Sequence, residues 1–71
     1  MKIILHIDGM ACGMCESHIN NVIRTNFKVK KVTSSHKKNI TEIKCDEELD
    51  LDRLKQLINE TGYTVSSVEF K

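Results

Sequence analysis

The sequence has no proline and no tryptophan, and only Phe27, Tyr63 and Phe70 are aromatic among its 71 residues. No row of aromatic side chains offers a platform for unpaired bases, which counts against single-stranded RNA as a ligand. An excess of one charge is also missing: 11 basic residues face 10 acidic ones, for a formal net charge of +1. Nonspecific nucleic-acid binding depends on neutralising many phosphates, so near-neutrality argues against it. Lys28, Lys30, Lys31, Lys37 and Lys38 make a local basic concentration that reads as a solvated face. Long apolar runs are absent too. The opening run, Ile3 to Leu5, stops at His6 and is too short for a secretory core or a membrane span, so no membrane insertion is expected. Cysteine is scarce and odd in number, three in all. Secreted disulfide scaffolds usually carry four, six or eight, so free thiols in a reducing cytoplasm are expected. There is no second CxxC and no HxxxH to complete a four-ligand structural zinc site. No Ser-His-Asp logic, glycine-rich phosphate loop or paired-carboxylate site appears, and a chain this short forms one domain, residues 1–71, with a limited core. A binding module or carrier is expected, not an enzyme.

What is present alternates between two periods. Ile3, Leu5 and Ile7 alternate with Lys2, Ile4 and His6, giving a strand with one buried face. The Gly9–Gly13 region reads as a loop. From about Cys15, Ile19, Val22, Ile23 and Phe27 recur at helical spacing, with Glu16 in the first turn and Arg24 near the end, as the helix dipole favours. "KVKKVTS" and "ITEIKC" read as two strands joined by "SHKKN"; Val29 and Val32 break strict alternation, which predicts a bulge there. Asp50 predicts the N-cap of a second helix, with Leu49 and Leu54 placed as a hydrophobic staple. Its buried stripe is Leu51, Leu54, Leu57 and Ile58, and Gly62 stops it. "YTVSSVEF" is the last strand, with Val65 and Val68 three apart.

The order β-α-β-β-α-β, with right-handed crossovers, is an α+β, ferredoxin-like sandwich: a four-stranded antiparallel sheet with both helices on one face. That topology gathers the loop after the first strand, the hairpin at about residues 34–39 and the Gly62–Tyr63 turn at one end. Cys45 falls at the other.

Chemistry concentrates in "DGMACGMCESH", residues 8–18. Cys12 and Cys15 can bring two sulfurs within a few ångströms. A helix starting at Cys15 would stabilise its thiolate through unpaired N–H groups and the dipole. Two thiolates suit Cu(I), a soft ion content with few ligands. A site so open can release its metal, because an incoming thiolate can add before an original one leaves. The same pair also fits a dithiol redox protein, although such motifs sit in larger domains, or an inert pair.

"GMACGMC", Gly9 to Cys15, matches the GMxCxxC signature of the heavy-metal-associated domain family. "LHID" resembles the end of that family's first strand, "CESHIN" its first helix and "TGY" its turn before the last strand, so the resemblance spans essentially the whole chain. It implies binding of soft metals, most often Cu(I) and in other members zinc, cadmium or mercury. Members are copper chaperones and N-terminal domains of metal-transporting P-type ATPases. Carried onto this chain, it makes Cys12 and Cys15 the ligands and Met10 a buried prop under the loop. A tyrosine after the glycine, here Tyr63, resembles bacterial copper chaperones, where it lies close to the metal.

Four neighbours are ambiguous. Met14 offers a thioether between the cysteines, as a partner contact or accessory ligand. His18, one turn beyond Cys15, offers a third ligand or a surface histidine. His36 in the hairpin and Asp8 before the signature read as turn residues, with a ligand role as the sharper alternative. Cys45 reads as a small core residue and His6 as surface. The expected function is metallochaperone-like: one ion, most readily Cu(I), passed by thiolate exchange to a P-type ATPase domain or another metal-binding domain. The carrier would be a monomer or a metal-bridged dimer.

Overall fold

A computed structural model describes residues 1–71. The elements are β1 (Lys2–Asp8), α1 (Gly13–Asn26), β2 (Lys31–Ser35), β3 (Ile40–Lys44), α2 (Leu51–Glu60) and β4 (Thr64–Phe70). The strands form one antiparallel sheet in the order β2-β3-β1-β4, and both helices cover one of its faces. This is the ferredoxin-like arrangement expected from the element order. No helix is long and apolar enough to cross a membrane.

The core lies between sheet and helices. Ile3, Leu5 and Ile7 of β1 meet Ile19 and Ile23 of α1, Ile43 of β3, and Leu54 and Ile58 of α2, all fully buried. Burying side chains of this size contributes roughly 1.5–3 kcal/mol each, so this layer supplies most of the driving force in so small a chain. Ile4 is buried as well, although it faces the helix-free side. It occupies the central strand, with Glu42 and Glu69 as its register partners on either hand.

The predicted bulge sits elsewhere. β2 and β3 pair in unbroken register, whereas the register shifts between His6 and Ile7 where β1 meets β4. His6 pairs with Ser67 and Ile7 with Val65, leaving Ser66 as the extra residue, its hydroxyl donating to the His6 carbonyl at 3.1 Å. That extra residue is why Val65 and Val68, three apart in sequence, both stand opposite core residues of β1. The other differences are at element ends. α1 begins at Gly13, two residues before the expected Cys15, and ends at Asn26 with Phe27 extended beyond it. β2 begins only at Lys31, leaving Val29 packed against the core from the preceding connection.

α2 is capped as its sequence predicts. Asp50 accepts the Arg53 N–H at 3.2 Å, and Leu54, placed for the staple, is fully buried. At the other end Tyr63 N–H donates to the Ile58 carbonyl and Gly62 N–H to the Asn59 carbonyl, with Gly62 at φ +101°. This is the paired closure that a left-handed glycine permits. It delivers Tyr63 to the same end of the sheet as the loop after β1. The β2–β3 turn is tied to that end by Ile7 N–H donating to the Asn39 carbonyl at 2.8 Å. Cys45, 2% exposed, lies at the far end, its N–H donating to the Met1 carbonyl.

Candidate metal centre

The loop between β1 and α1 is shaped from beneath. Gly9 turns the chain at φ +103°, and a Cβ there would stand 3.4 Å from Cδ1 of Tyr63, so the tyrosine ring lies directly against the backbone. Met10, next in the loop, is buried in the core cluster. The next four residues, Ala11 to Met14, are exposed.

Cys12 is the N-cap of α1. Its backbone is extended (φ −163°, ψ −179°), and its carbonyl accepts from Cys15 N–H at 3.1 Å and Glu16 N–H at 3.3 Å. Its side chain makes no capping bond, unlike the serine or aspartate usual at this position, so the sulfur is left free and exposed. Cys15 is half-buried and packs against the core. Its thiol is lowered from 9.0 to about 7, chiefly because the Tyr63 hydroxyl donates to it, then because the Ala11 N–H does. Burial opposes this shift, and the Cys12 N–H and side chain add to it. The tyrosine shows the reciprocal effect: donating to Cys15 holds its hydroxyl above the ordinary value of 10.0. The two sulfurs are therefore unequal, one open and one held in a cradle of donors.

The hairpin is clasped to this end by a contact that sequence reasoning did not find. One carboxylate oxygen of Glu16 accepts both the His36 backbone N–H at 2.8 Å and the His36 Nδ1–H at 2.6 Å. These bonds, the backbone one first, hold the Glu16 carboxyl below its usual value. Deeper, Ser34 donates to Asn20 Oδ1 at 2.7 Å, so the 2.8 Å contact with the buried Thr41 hydroxyl must have Thr41 as donor. The only early signals were an acidic residue in a first helical turn and a histidine in a hairpin, 20 residues apart.

The accessory candidates are dispersed. His18 stands edge-on to Tyr63, ring centroids 6.2 Å apart and planes at 81°. His36 is engaged by Glu16. Met14 is 82% exposed and points into solvent between the cysteines. No three side chains drawn from His, Cys, Asp and Glu gather at one point. Asp8 and His18 thus do not complete a three-donor cluster with Cys12 and Cys15.

The heavy-metal-associated domain model matches residues 4–64. No curated protein matches the chain in sequence. Among solved structures, the CopZ metallochaperone is similar at 23% identity and a TM-score of 0.82, covering 92% of this chain and 98% of its own. The yeast copper transporter domain Ccc2a, solved in apo and Cu(I)-loaded states, shares 29% identity at a TM-score of 0.79, covering 96% and 90%. The N-terminal domain of ZntA in its Zn(II) form shares 17% at 0.80, covering 90% and 86%. The fold is common to all three. With its signature loop and 61 of its 71 residues, 4 to 64, inside the family model, this chain belongs to the heavy-metal-associated domain family.

Proposed function

We propose that this protein binds one soft metal ion, Cu(I) in preference, between the sulfurs of Cys12 and Cys15, and transfers it to a partner by thiolate exchange. The observation that carries this reading is a pair of unequal cysteines at a helix N-terminus with no third charged or imidazole donor gathered beside them. Two thiolates satisfy Cu(I), whereas Zn²⁺ in protein sites usually takes four ligands. The open flank of Cys12 admits an incoming thiol, while Cys15 is steadied by Tyr63 and the loop amides. The likeness to Ccc2a, a copper transporter domain solved with Cu(I), supports the choice of ion. The partner would be another metal-binding domain, such as one of a P-type ATPase, met in a reducing cytoplasm. Competition for Cu(I) against a strong chelator tests the reading. Wild type should win the metal at one equivalent and the Cys12→Ser/Cys15→Ser variant should not; equal binding by both would refute it.

A lowered Cys15 thiol beside a second cysteine also suits dithiol redox chemistry. Disulfide-reductase turnover by the metal-free protein would favour that reading, and its absence would remove it.

A further inference from the structure

His18 sits one helical turn beyond Cys15, on the same face of α1, where side chains three apart are neighbours. It is nevertheless not gathered with the two sulfurs. Its imidazole is turned edge-on to Tyr63, in the geometry that aromatic rings favour. Tyr63 itself is fixed by its backbone and by its ring. Its N–H closes the end of α2 on the Ile58 carbonyl, and its ring lies against Gly9. A ring so held is a fixed wall, and His18 rests against it.

We infer that Tyr63 sets metal selectivity by holding His18 away from the metal, so that the site stays at two sulfurs and His18 is a latent third ligand. The inference rests on the reading that Cys12 and Cys15 hold the ion. An added imidazole would favour Zn²⁺, which takes mixed sulfur and nitrogen ligands, far more than Cu(I), already satisfied by two thiolates. The wall therefore discriminates against zinc by withholding a ligand the sequence already carries.

Zinc and Cu(I) affinities of a small variant set test this. Tyr63→Phe is the reference, because it lacks the hydroxyl and keeps the ring. Tyr63→Ala should bind Zn²⁺ more tightly than Tyr63→Phe, on the order of 10- to 100-fold, the range in which changes just outside a metal's own ligands act. The gain should vanish in Tyr63→Ala/His18→Ala, and Cu(I) affinity should move less. No zinc gain, or a gain that survives His18→Ala, overturns the inference. Should Tyr63→Ala fail to fold, His18→Phe decides: unchanged binding of both metals is expected, and a loss of either means that His18 already ligates. The ring contact is read separately in metal-free protein. The chain has one tyrosine, so its ring-proton NMR signals should shift on His18→Ala, and unmoved signals contradict the contact. If instead the double cysteine variant binds copper like wild type, the metal reading fails while the ring result still stands.

Discussion

The two ends of the sheet carry the same side chain in opposite circumstances. Cys45, at the far end, is 2% exposed among aliphatic neighbours. Cys15, at the loop end, also packs against the core, yet the Tyr63 hydroxyl, first, and the backbone of Ala11 and Cys12 bring its thiol down from 9.0 to about 7, and Cys12 beside it is open to solvent. Burial among apolar groups makes a thiol a small hydrophobe. Hydrogen-bond donors around a half-open thiol favour the thiolate. Reactivity here is a property of surroundings, which the loop, the helix N-terminus and the α2 closure supply together at one end only.

The largest expected effect separates the ends by function. Serine at both Cys12 and Cys15 should abolish tight Cu(I) binding and leave the fold intact, as read by chelator competition and circular dichroism. Cys45→Ser should do the reverse. Copper affinity stays unchanged while burial of a hydroxyl lowers folding stability by about 1–3 kcal/mol, measured as a shift in the denaturant midpoint.

Next comes the pH dependence of the loop end. With the Cys15 thiol at about 7, metal must displace a proton below that pH, so apparent Cu(I) affinity should fall as pH drops under about 7. Above it, Cys15 adds no further dependence. Tyr63→Phe removes the largest cause of the lowering, so the thiol moves back toward 9.0 and the fall begins at higher pH. Stability of the metal-free fold follows the same linkage. The folded value lies below the unfolded 9.0, so the Cys15 contribution is complete above 9.0 and is lost as pH falls through about 7. Unfolding curves collected across that window should flatten in Tyr63→Phe. Cys45→Ser, which leaves Cys15 and Tyr63 in place, should keep that window.

The smallest effect concerns the clasp. Glu16→Gln should leave the fold and copper stoichiometry intact and speed amide exchange at His36, whose N–H the carboxylate accepts. The carboxyl is held below its ordinary value of 4.5, so its contribution is present above that pH and lost as pH falls through the folded value. Equal His36 exchange in variant and wild type would contradict the clasp.

What the residues disclosed in advance divides along the same line. Periodicity located β1, α1 and α2 because each turns a regular apolar stripe to the core, and the caps of α2 are local chemistry that a few adjacent residues specify. The bulge was foreseen in the wrong strand. The Val65–Val68 spacing was visible, but its cause is the pairing of β4 with β1, a partner nearly 60 residues away. Cys12 and Cys15 stood out as a spaced pair. Their inequality did not, because it depends on the Tyr63 hydroxyl, brought in from the end of α2; topology put the Gly62–Tyr63 turn at that end, and the family resemblance put the tyrosine close to the metal. The Glu16–His36 clasp joins residues that carry no mutual signal in sequence. Long-range contacts between single side chains are what a local pattern cannot carry.

The central claim, that two thiolates at one end of the sheet hold one soft ion, is tested most directly by X-ray absorption on the copper-loaded protein. The account predicts two sulfur neighbours around each Cu(I), no nitrogen, and loss of that signature in Cys12→Ser/Cys15→Ser but not in Cys45→Ser. A nitrogen neighbour that disappears with His18, or a sulfur that disappears with Cys45, would contradict it.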